Sequence, residues 1–163
     1  MGQWETKGAS DEWYTPAYIF DALGERFDLD VASPPRQTHV PADKRRSYGD
    51  LPSEWPGFAF LWMNPPFGGR NGLVPWLDYF FIHGHGIALT PDRTSTDWWQ
   101  DAAGKADAVL FMRGKVKFER PDGSVGGSPA NGTTLFAAGD RAVAALKRAS
   151  ALGIVMEKKN NGN

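Results

Sequence analysis

The chain has 163 residues, of which 41% are hydrophobic and 23% are charged, and its formal net charge is −1. This composition predicts one globular domain and excludes a disordered chain. The lack of cysteine excludes disulfides, thiolate metal sites and cysteine nucleophiles. No apolar run is long enough for a membrane helix, so we expect a cytoplasmic protein without membrane contact.

The first predicted element is a helix after Thr15 and Pro16, where a hydroxyl that can cap a helix precedes a proline suited to its first turn. Apolar residues then recur on one helical face: Ile19, Phe20, Leu23 and Phe27. A short strand is predicted over residues 27–32. The proline-rich and charged residues 33–57 show no period, so we expect a loop there.

The central predicted strand is the continuous apolar run of residues 58–63, which is typical of a parallel strand buried on both faces. It ends before Pro65 and Pro66, because proline cannot donate to a ladder. A helix is predicted over residues 74–83, with Gly84 as its C-terminal stop. Its inward-facing residues are expected to be Trp76, Leu77, Phe80 and Phe81.

Five further strands are predicted, over residues 86–91, 107–112, 115–119, 132–138 and 154–156. A short helix that contains Trp98 and Trp99 is expected after the first of them, capped by Ser95 or Thr96. Residues 120–131 have the composition of a flexible loop.

The last predicted helix has Asp140 as its cap and runs through Leu152. Strands that alternate with helices and then finish antiparallel indicate the α/β class. We predict a single three-layer α/β/α domain with a mixed sheet over residues 11–156. Residues 1–10 and 157–163 are expected to be flexible termini.

The motif Asn64-Pro65-Pro66-Phe67 follows the buried strand and predicts chemistry on an amino nitrogen. In open α/β sheets, ligands bind outside the carboxyl ends of the strands. An aromatic amine is a poor nucleophile, and two acceptors aimed at its hydrogens would return the lone pair to its nitrogen. The side-chain carbonyl of Asn64 and the main-chain carbonyl of Pro65 are candidate acceptors, and Phe67 offers a flat face for stacking a base. An ordinary proline-rich turn would use the same residues.

This motif resembles the D/N-P-P-Y/F signature of amino-methyltransferases. Five stretches of the chain, one of which contains the motif, resemble the small phage-type DNA N-6-adenine methyltransferase (Dam) family. In chain order they are residues 11–16, 27–32, 61–68, 89–94 and 114–118. The resemblance implies a Rossmann-like methyltransferase fold with S-adenosylmethionine as the methyl donor. The methyl acceptor that it implies is the exocyclic N6 amino group of a flipped adenine in DNA. A phage-encoded member would work in the cytoplasm of its bacterial host.

The resemblance also implies a cofactor site that comprises Trp13, Tyr14, Thr15, Pro16, Asp30, Ala32, Asp50 and Asn64. The hydroxyl of Thr15 and the helix after it suit a carboxylate, although a plain helix cap would explain Thr15 equally well. Asp30 could accept from the ammonium or the ribose of the cofactor. The sequence departs from the usual pattern here, because residues 33–35 replace a Gly-x-Gly loop. Asp50 could contact the adenine of the cofactor or simply end a turn.

DNA contacts are predicted at Arg93, Lys115 and Lys117, since the near-neutral net charge leaves phosphate binding to local cations. The two lysines alternate on a predicted strand and therefore share one face. On that face they could follow a DNA backbone or serve solubility at an exposed edge. The basic residues 44–46 are a further candidate cluster. We predict no metal, because the three histidines do not form a ligand set: His39, His83 and His85.

The sequence leaves three other functions open. They are methylation of another planar amine or amide (an RNA base or a protein glutamine), methylation of the amino group of cytosine, and DNA binding by a catalytically idle relative. Residues 11–16 and 114–118 resemble the DNA adenine family more than the others, and an intact motif argues against an idle binder. In cytosine enzymes of this kind, serine more often stands at the position of Asn64. Because no separate recognition domain is visible, base recognition would come from loops or from a second copy of the chain. The sequence does not decide the oligomeric state.

Overall fold

The computed structural model describes residues 14–36, 38–47, 55–66, 72–127 and 129–159. Within these ranges seven strands form one sheet, and four α-helices and one 3₁₀ helix accompany it. The strands are β1 (Phe27–Ser33), β2 (Ala42–Ser47), β3 (Leu61–Met63), β4 (Gly86–Pro91), β5 (Ala108–Met112), β6 (Thr133–Ala138) and β7 (Gly153–Glu157). The helices are α1 (Ala17–Leu23), α2 (Val74–His83), α3 (Asp97–Lys105), α4 (Asp140–Arg148) and the 3₁₀ helix Ser150–Leu152.

In space the strands follow the order β2-β1-β3-β4-β6-β5-β7. Strands β1 to β4 pair in parallel, whereas β6 runs antiparallel to β4 and β5, and β7 runs antiparallel to β5. The predicted mixed sheet with an antiparallel finish is therefore confirmed. Because β1, β3 and β4 are parallel neighbours, their carboxyl ends lie at the same edge of the sheet.

Two apolar clusters make up the core. One joins residues of α1 and α4 to strand residues such as Trp62 and Leu110. The other joins residues of α2 and α3 to the strand residues next to them, such as Leu61 and Val109. Successive residues of a strand point to opposite faces, so each face of the sheet carries its own cluster.

The helix α2 begins and ends where the sequence predicts. Gly84 follows it with a φ of 75°, and its N–H donates to the carbonyl of Phe80 at 2.9 Å, which closes the last turn. The expected inward residues Trp76, Leu77 and Phe80 are buried, and Phe81 is half-buried against the same cluster. With 10 residues α2 is the longest described helix, and no helix in the described ranges has the length and hydropathy to cross a membrane.

Three details of α1 and α3 differ from or sharpen the prediction. Thr96 caps α3 by accepting from the N–H of Trp99 at 3.4 Å, which decides between the two predicted caps. Thr15 does not cap α1, because Pro16 is the N-cap residue and no side chain caps this helix. Phe27 does not extend the face of α1 either, since Gly24 ends that helix in the left-handed conformation.

The predicted cap of α4 is also wrong. Asp140 is the first residue inside the helix, and its N-cap is Gly139 with a φ of 89°. The N–H of Gly139 donates to the carboxylate of Asp107 at 2.7 Å, so a side chain from before β5 satisfies this helix end. The α-helix stops at Arg148, and the residues up to Leu152 form a 3₁₀ helix instead of continuing it.

The loop predicted over residues 33–57 contains the strand β2. Its sequence, ADKRRS, is mostly exposed and lacks apolar alternation, so nothing in the side chains indicated a strand. Parallel pairing with β1 along one side holds it at the edge of the sheet. In contrast, β3 is shorter than predicted, because a turn closed by the N–H of Ala59 on Pro56 leaves Phe58 exposed before the strand.

The prediction of a strand over residues 115–119 is wrong, because these residues form no regular strand. Gly114, with a φ of 70°, separates this segment from β5, and among the described residues Glu119 forms only isolated bridges, to Tyr14 and to Val125. The predicted alternation holds nevertheless, because Val116 is buried between the exposed Lys115 and Lys117. At the other end of the chain, β7 extends through Glu157, one residue beyond the predicted domain end.

Candidate active site

The site lies at the edge of the sheet where β1, β3 and β4 end. Asp30 is the central residue of β1, Asn64 follows β3 directly, and Arg93 follows β4. Pairing of Asp30 with Trp62 and of Met63 with Ala88 fixes the register of the three strands. Residues far apart in the sequence therefore reach one edge of the sheet.

Asn64 occupies the first position after β3. The strand stops at Met63, since Pro65 and Pro66 have no N–H to continue the ladder. Asn64 is half-buried, and its Nδ2 donates to Oγ1 of Thr15 at 3.1 Å. No described residue donates a hydrogen bond to the opposite end of this amide, Oδ1. The side chain thus has one end tied to the protein and one end available as an acceptor.

Tyr14, Thr15 and Pro16 form a buried, extended segment before α1. Tyr14 exchanges two backbone hydrogen bonds with Glu119, at 2.8 and 3.0 Å. A residue before proline favours extended backbone, which suits this pairing. Trp13, a predicted cofactor residue, lies outside the described residues. The structure therefore brings part of the predicted N-terminal cofactor segment into contact with Asn64.

Asp30 is a buried carboxyl group, with 2% of its surface exposed. Its Oδ1 accepts from the N–H of Ala32, which is also buried, at 3.3 Å. Burial raises the pKa of Asp30 to about 6, against the opposing effects of hydrogen bonds from Ala32 and Ser33 and of the charge on Arg45. The structure therefore joins two of the predicted cofactor residues. Asp50, a third, lies outside the described residues.

The predicted DNA-binding side chains are exposed. Arg93 lies in the turn before α3, where its carbonyl accepts from the backbone and hydroxyl of Thr96. Lys115 and Lys117 lie on the segment that ends at Glu119 and so leads to Tyr14. The carboxyl ends of β1 and β2 also line an open pocket, whose residues are Ser33, Pro34, Pro35, Arg36, Arg45, Arg46 and Ser47.

Asp92 is a site residue that the sequence analysis did not single out. It follows β4 at the same edge as Asn64, and its Oδ1 accepts from the hydroxyl of Thr134 at 3.3 Å. That hydroxyl in turn accepts from the indole N–H of Trp99 at 3.1 Å. The carboxylate is thereby held between β6 and α3. The sequence signal that could have identified Asp92 is a polar residue directly after a buried strand, which is also the signal that identified Asn64.

The histidines have other partners in the structure. His39 contacts Glu119 at 2.7 Å, and His83 contacts the carbonyl of Ala59 at 2.7 Å. The ring of His85 lies 5.0 Å from that of Phe60. In the part of the chain that the structure describes, no three His, Asp or Glu side chains come together as ligands for a metal ion.

Comparison with known proteins adds a family match. The sequence profile of the family described as DNA N-6-adenine-methyltransferase (Dam) matches residues 4–135. No curated protein and no solved structure matches the chain. The matched span contains all the residues discussed at this edge of the sheet, from Tyr14 to Thr134.

Proposed function

The chain belongs to the DNA N-6-adenine-methyltransferase (Dam) family, and from this premise we propose that it transfers a methyl group from S-adenosylmethionine to the exocyclic N6 amino group of a flipped adenine in DNA. The observation that carries the proposal is the amide of Asn64, which follows β3 with Nδ2 bound to Thr15 and Oδ1 without a donor among the described residues. An acceptor at the carboxyl end of a central strand suits an incoming amino group.

The mixed α/β fold is consistent with a methyltransferase-like fold. We propose the finer assignment of a three-layer, Rossmann-like domain over residues 11–156, with flexible termini at 1–10 and 157–163. Apolar clusters on both faces of the sheet support the three layers. For a phage-encoded enzyme, we propose action in the cytoplasm of the bacterial host.

In the proposed reaction the chain acts on the acceptor nitrogen. Oδ1 of Asn64 and the carbonyl of Pro65 accept the two N6 hydrogens, which returns the nitrogen lone pair from the ring to the direction of attack. With S-adenosylmethionine bound, the nitrogen would take the methyl group, S-adenosylhomocysteine would be the leaving group, and one N6 proton would be lost to solvent. Pro66 stiffens the turn, and Phe67, which lies outside the described residues, is proposed to stack on the flipped base.

S-adenosylmethionine supplies, when bound, an electrophilic methyl group. The donor set at this edge fits such a cofactor, because Asp30 is a buried carboxyl that forms no ion pair among the described residues, and the charge of Arg45 does not offset the cost of its burial. We propose that Asp30 accepts from the ammonium or the ribose of the cofactor. The other proposed contacts are Trp13, Tyr14, Thr15, Pro16, Ala32, Asp50 and Asn64.

We expect Asp30→Asn to weaken cofactor binding and stabilise the protein at pH 8. The pKa of Asp30 is raised from 3.8 to about 6, so its contribution to stability is fully present below 3.8 and is lost as the pH rises through 6. The substitution removes a buried charge at pH 8 and should raise the free energy of unfolding there by about 3 kcal/mol. The same loss of charge should weaken cofactor affinity about 10-fold or more.

Urea unfolding at pH 5 and pH 8, with calorimetric titration of S-adenosylmethionine, measures both effects. The gain in stability should shrink at pH 5, where the folded wild-type carboxyl is mostly protonated. Asp28→Asn is a matched control, because Asp28 is exposed on the same strand and should leave cofactor affinity unchanged. Wild-type affinity in Asp30→Asn would contradict the proposed contact.

DNA binding is proposed to depend on a few local cations: Arg93, Lys115, Lys117 and the basic residues of β2. Few phosphate contacts give a shallow salt dependence, with an expected slope of log affinity against log salt of about 3–5 in magnitude. Replacing Lys115 and Lys117 by glutamine should reduce that slope by about one per lysine. The loss of affinity should be even across DNA sequences, because phosphates carry no sequence information.

Fluorescence anisotropy at several salt concentrations measures the slope. The matched control replaces Lys105 and Lys158 by glutamine. Lys105 ends α3, and the N–H of Lys158 donates to the carbonyl of Asp107, so both lie near the beginning of β5, whereas Lys115 and Lys117 follow its end. A slope unchanged by loss of Lys115 and Lys117 would mean that the DNA path lies elsewhere.

The proposed function is tested by incubating the purified chain with methyl-labelled S-adenosylmethionine and plasmid DNA, followed by nucleoside analysis. We expect the label in N6-methyl-2′-deoxyadenosine from the DNA. Label in cytosine, in RNA or in a protein glutamine offered in parallel would support the corresponding alternative instead. No label in any acceptor, in a preparation that binds the cofactor, would refute methyl transfer.

A further inference from the structure

We propose that two copies of this chain pair through the free side of β7 and form a dimer whose sheet runs continuously through both copies. β7 is the last strand of the sheet, and among the described residues no strand pairs with its other side. It has five residues and runs antiparallel to β5. Three strands separate β7 from β3 in the sheet, so the inference does not depend on the proposed reaction.

The backbone groups on the free side of β7 follow from the hydrogen bonds on its paired side. The N–H of Lys158 donates to the carbonyl of Asp107, and the carbonyl of Leu152 accepts from the N–H of Arg113. Along an antiparallel strand, residues bonded to one neighbour alternate with residues bonded to the other. The even-numbered residues therefore bond to β5. The N–H and C=O groups that point to the free side belong to Gly153, Val155 and Glu157.

The side chains on one face of β7 are apolar and exposed. Ile154 is 63% exposed and Met156 is 61% exposed, and alternate residues of a strand share one face. The strand at the opposite edge of the sheet differs, because β2 carries four consecutive charged residues, DKRR. Charged side chains at an edge oppose pairing with another chain, whereas an apolar edge favours it. The sheet is therefore protected at β2 and open to association at β7.

The sequence of β7 fits an antiparallel copy of itself in one register. With Val155 opposite Val155 of the second copy, all five residues of each strand pair, and Ile154 lies opposite Met156 on the same face. A shift by two residues in one direction would set the charged Lys158 opposite Ile154. A shift in the other direction would set Met156 opposite Leu152, which lies outside the strand. Only the full-length register pairs the two exposed apolar side chains with each other.

The charge on β7 also suits this register. Glu157 lies opposite Gly153 of the second copy, so its carboxylate meets no like charge. A register shifted by four residues would instead set the two Glu157 side chains opposite each other. A two-fold dimer uses the same strand of both copies and leaves no β7 edge free, so association stops at two chains. These features favour a second copy of the chain as the partner.

Sedimentation equilibrium of the purified chain from about 1 to 100 μM measures the association, and we expect a dimer within this range. Ile154→Lys should raise the dissociation constant about 100-fold, because the substitution removes apolar contact and places a charge in both halves of the interface. A wild-type chain that stays monomeric throughout would overturn the proposal, and the edge would then be free for a different partner.

Ile82→Lys is the matched control for this substitution. Ile82 is an 83% exposed apolar residue of α2, so the same change of side chain there should leave the dissociation constant unchanged. Thermal unfolding of both variants checks that the fold is intact. A dimer that Ile154→Lys weakens no more than Ile82→Lys does would overturn the proposal.

Disulfide cross-linking tests the register, and the chain has no cysteine of its own to interfere. Ile154 and Met156 of the second copy would face each other as a pair without backbone hydrogen bonds, with Cα atoms about 4.5 Å apart, which is within disulfide range. A mixture of Ile154→Cys and Met156→Cys chains should therefore cross-link on mild oxidation. Each variant alone should cross-link far less, because its two thiols would sit on diagonal positions about 7–8 Å apart. Efficient cross-linking of either variant alone, or none in the mixture, would overturn the proposal.

Discussion

Asn64→Ala is expected to lower kcat for methyl transfer by about 100- to 1000-fold, the cost of removing one preorganised acceptor from a reaction centre. The substitution removes Oδ1, which is proposed to accept an N6 hydrogen, and also leaves the hydroxyl of Thr15 without its partner. Cofactor affinity should change much less than kcat, because the proposed role of Asn64 is mainly on the acceptor nitrogen.

Single-turnover assays with methyl-labelled cofactor measure the rate, and calorimetric titration measures cofactor affinity separately. Asn64→Asp is the matched control, since it keeps an acceptor oxygen at the same position. Near-wild-type turnover in purified Asn64→Ala would contradict the catalytic assignment. A loss of cofactor affinity as large as the loss of rate would instead place Asn64 on the donor side.

Gly86→Ala is expected to lower the free energy of unfolding by about 2–3 kcal/mol, as overpacking in a close-packed interior does. A Cβ at Gly86 would lie 2.6 Å from the backbone oxygen of Leu61 and 2.9 Å from its Cβ. Gly86 pairs with Leu61 in the register that joins β4 to β3. Because β3 has only three residues, its displacement should also reach Asn64 and reduce activity.

Urea unfolding measures the change, and Gly104→Ala is the matched control. A Cβ at Gly104, in the exposed part of α3, meets nothing within 4 Å, so alanine should stabilise that helix by up to about 1 kcal/mol. Equal stability of Gly86→Ala and the wild-type protein would contradict the close approach of β3 and β4.

Local signals explain which elements the sequence predicted. The bounds of α2 and β4 were predicted to the residue, because helical periodicity ends at Gly84 and a continuous apolar run follows it. β2 could not be predicted in this way. Its residues are charged and mostly exposed, and it exists through backbone pairing with β1, which the sequence of β2 itself does not contain.

The same distinction applies to the site. Asn64 could be identified because prolines follow a buried strand, a pattern of adjacent residues. The contact of Asn64 with Thr15 could not, since it depends on how the segment before α1 lies against the end of β3. The raised pKa of Asp30 likewise comes from tertiary burial, which residue type alone does not reveal.

The pairing of Tyr14 with Glu119 has a consequence for the growing chain on the ribosome. Tyr14 and Thr15 are translated early and Asn64 somewhat later, but the backbone that holds Tyr14 arrives only with Glu119. A nascent chain that ends before Glu119 would contain the complete Asn-Pro-Pro sequence without the backbone hydrogen bonds that Glu119 makes to the segment in contact with Asn64. Catalytic competence is therefore expected to arise late in synthesis, and prematurely terminated products should not methylate DNA.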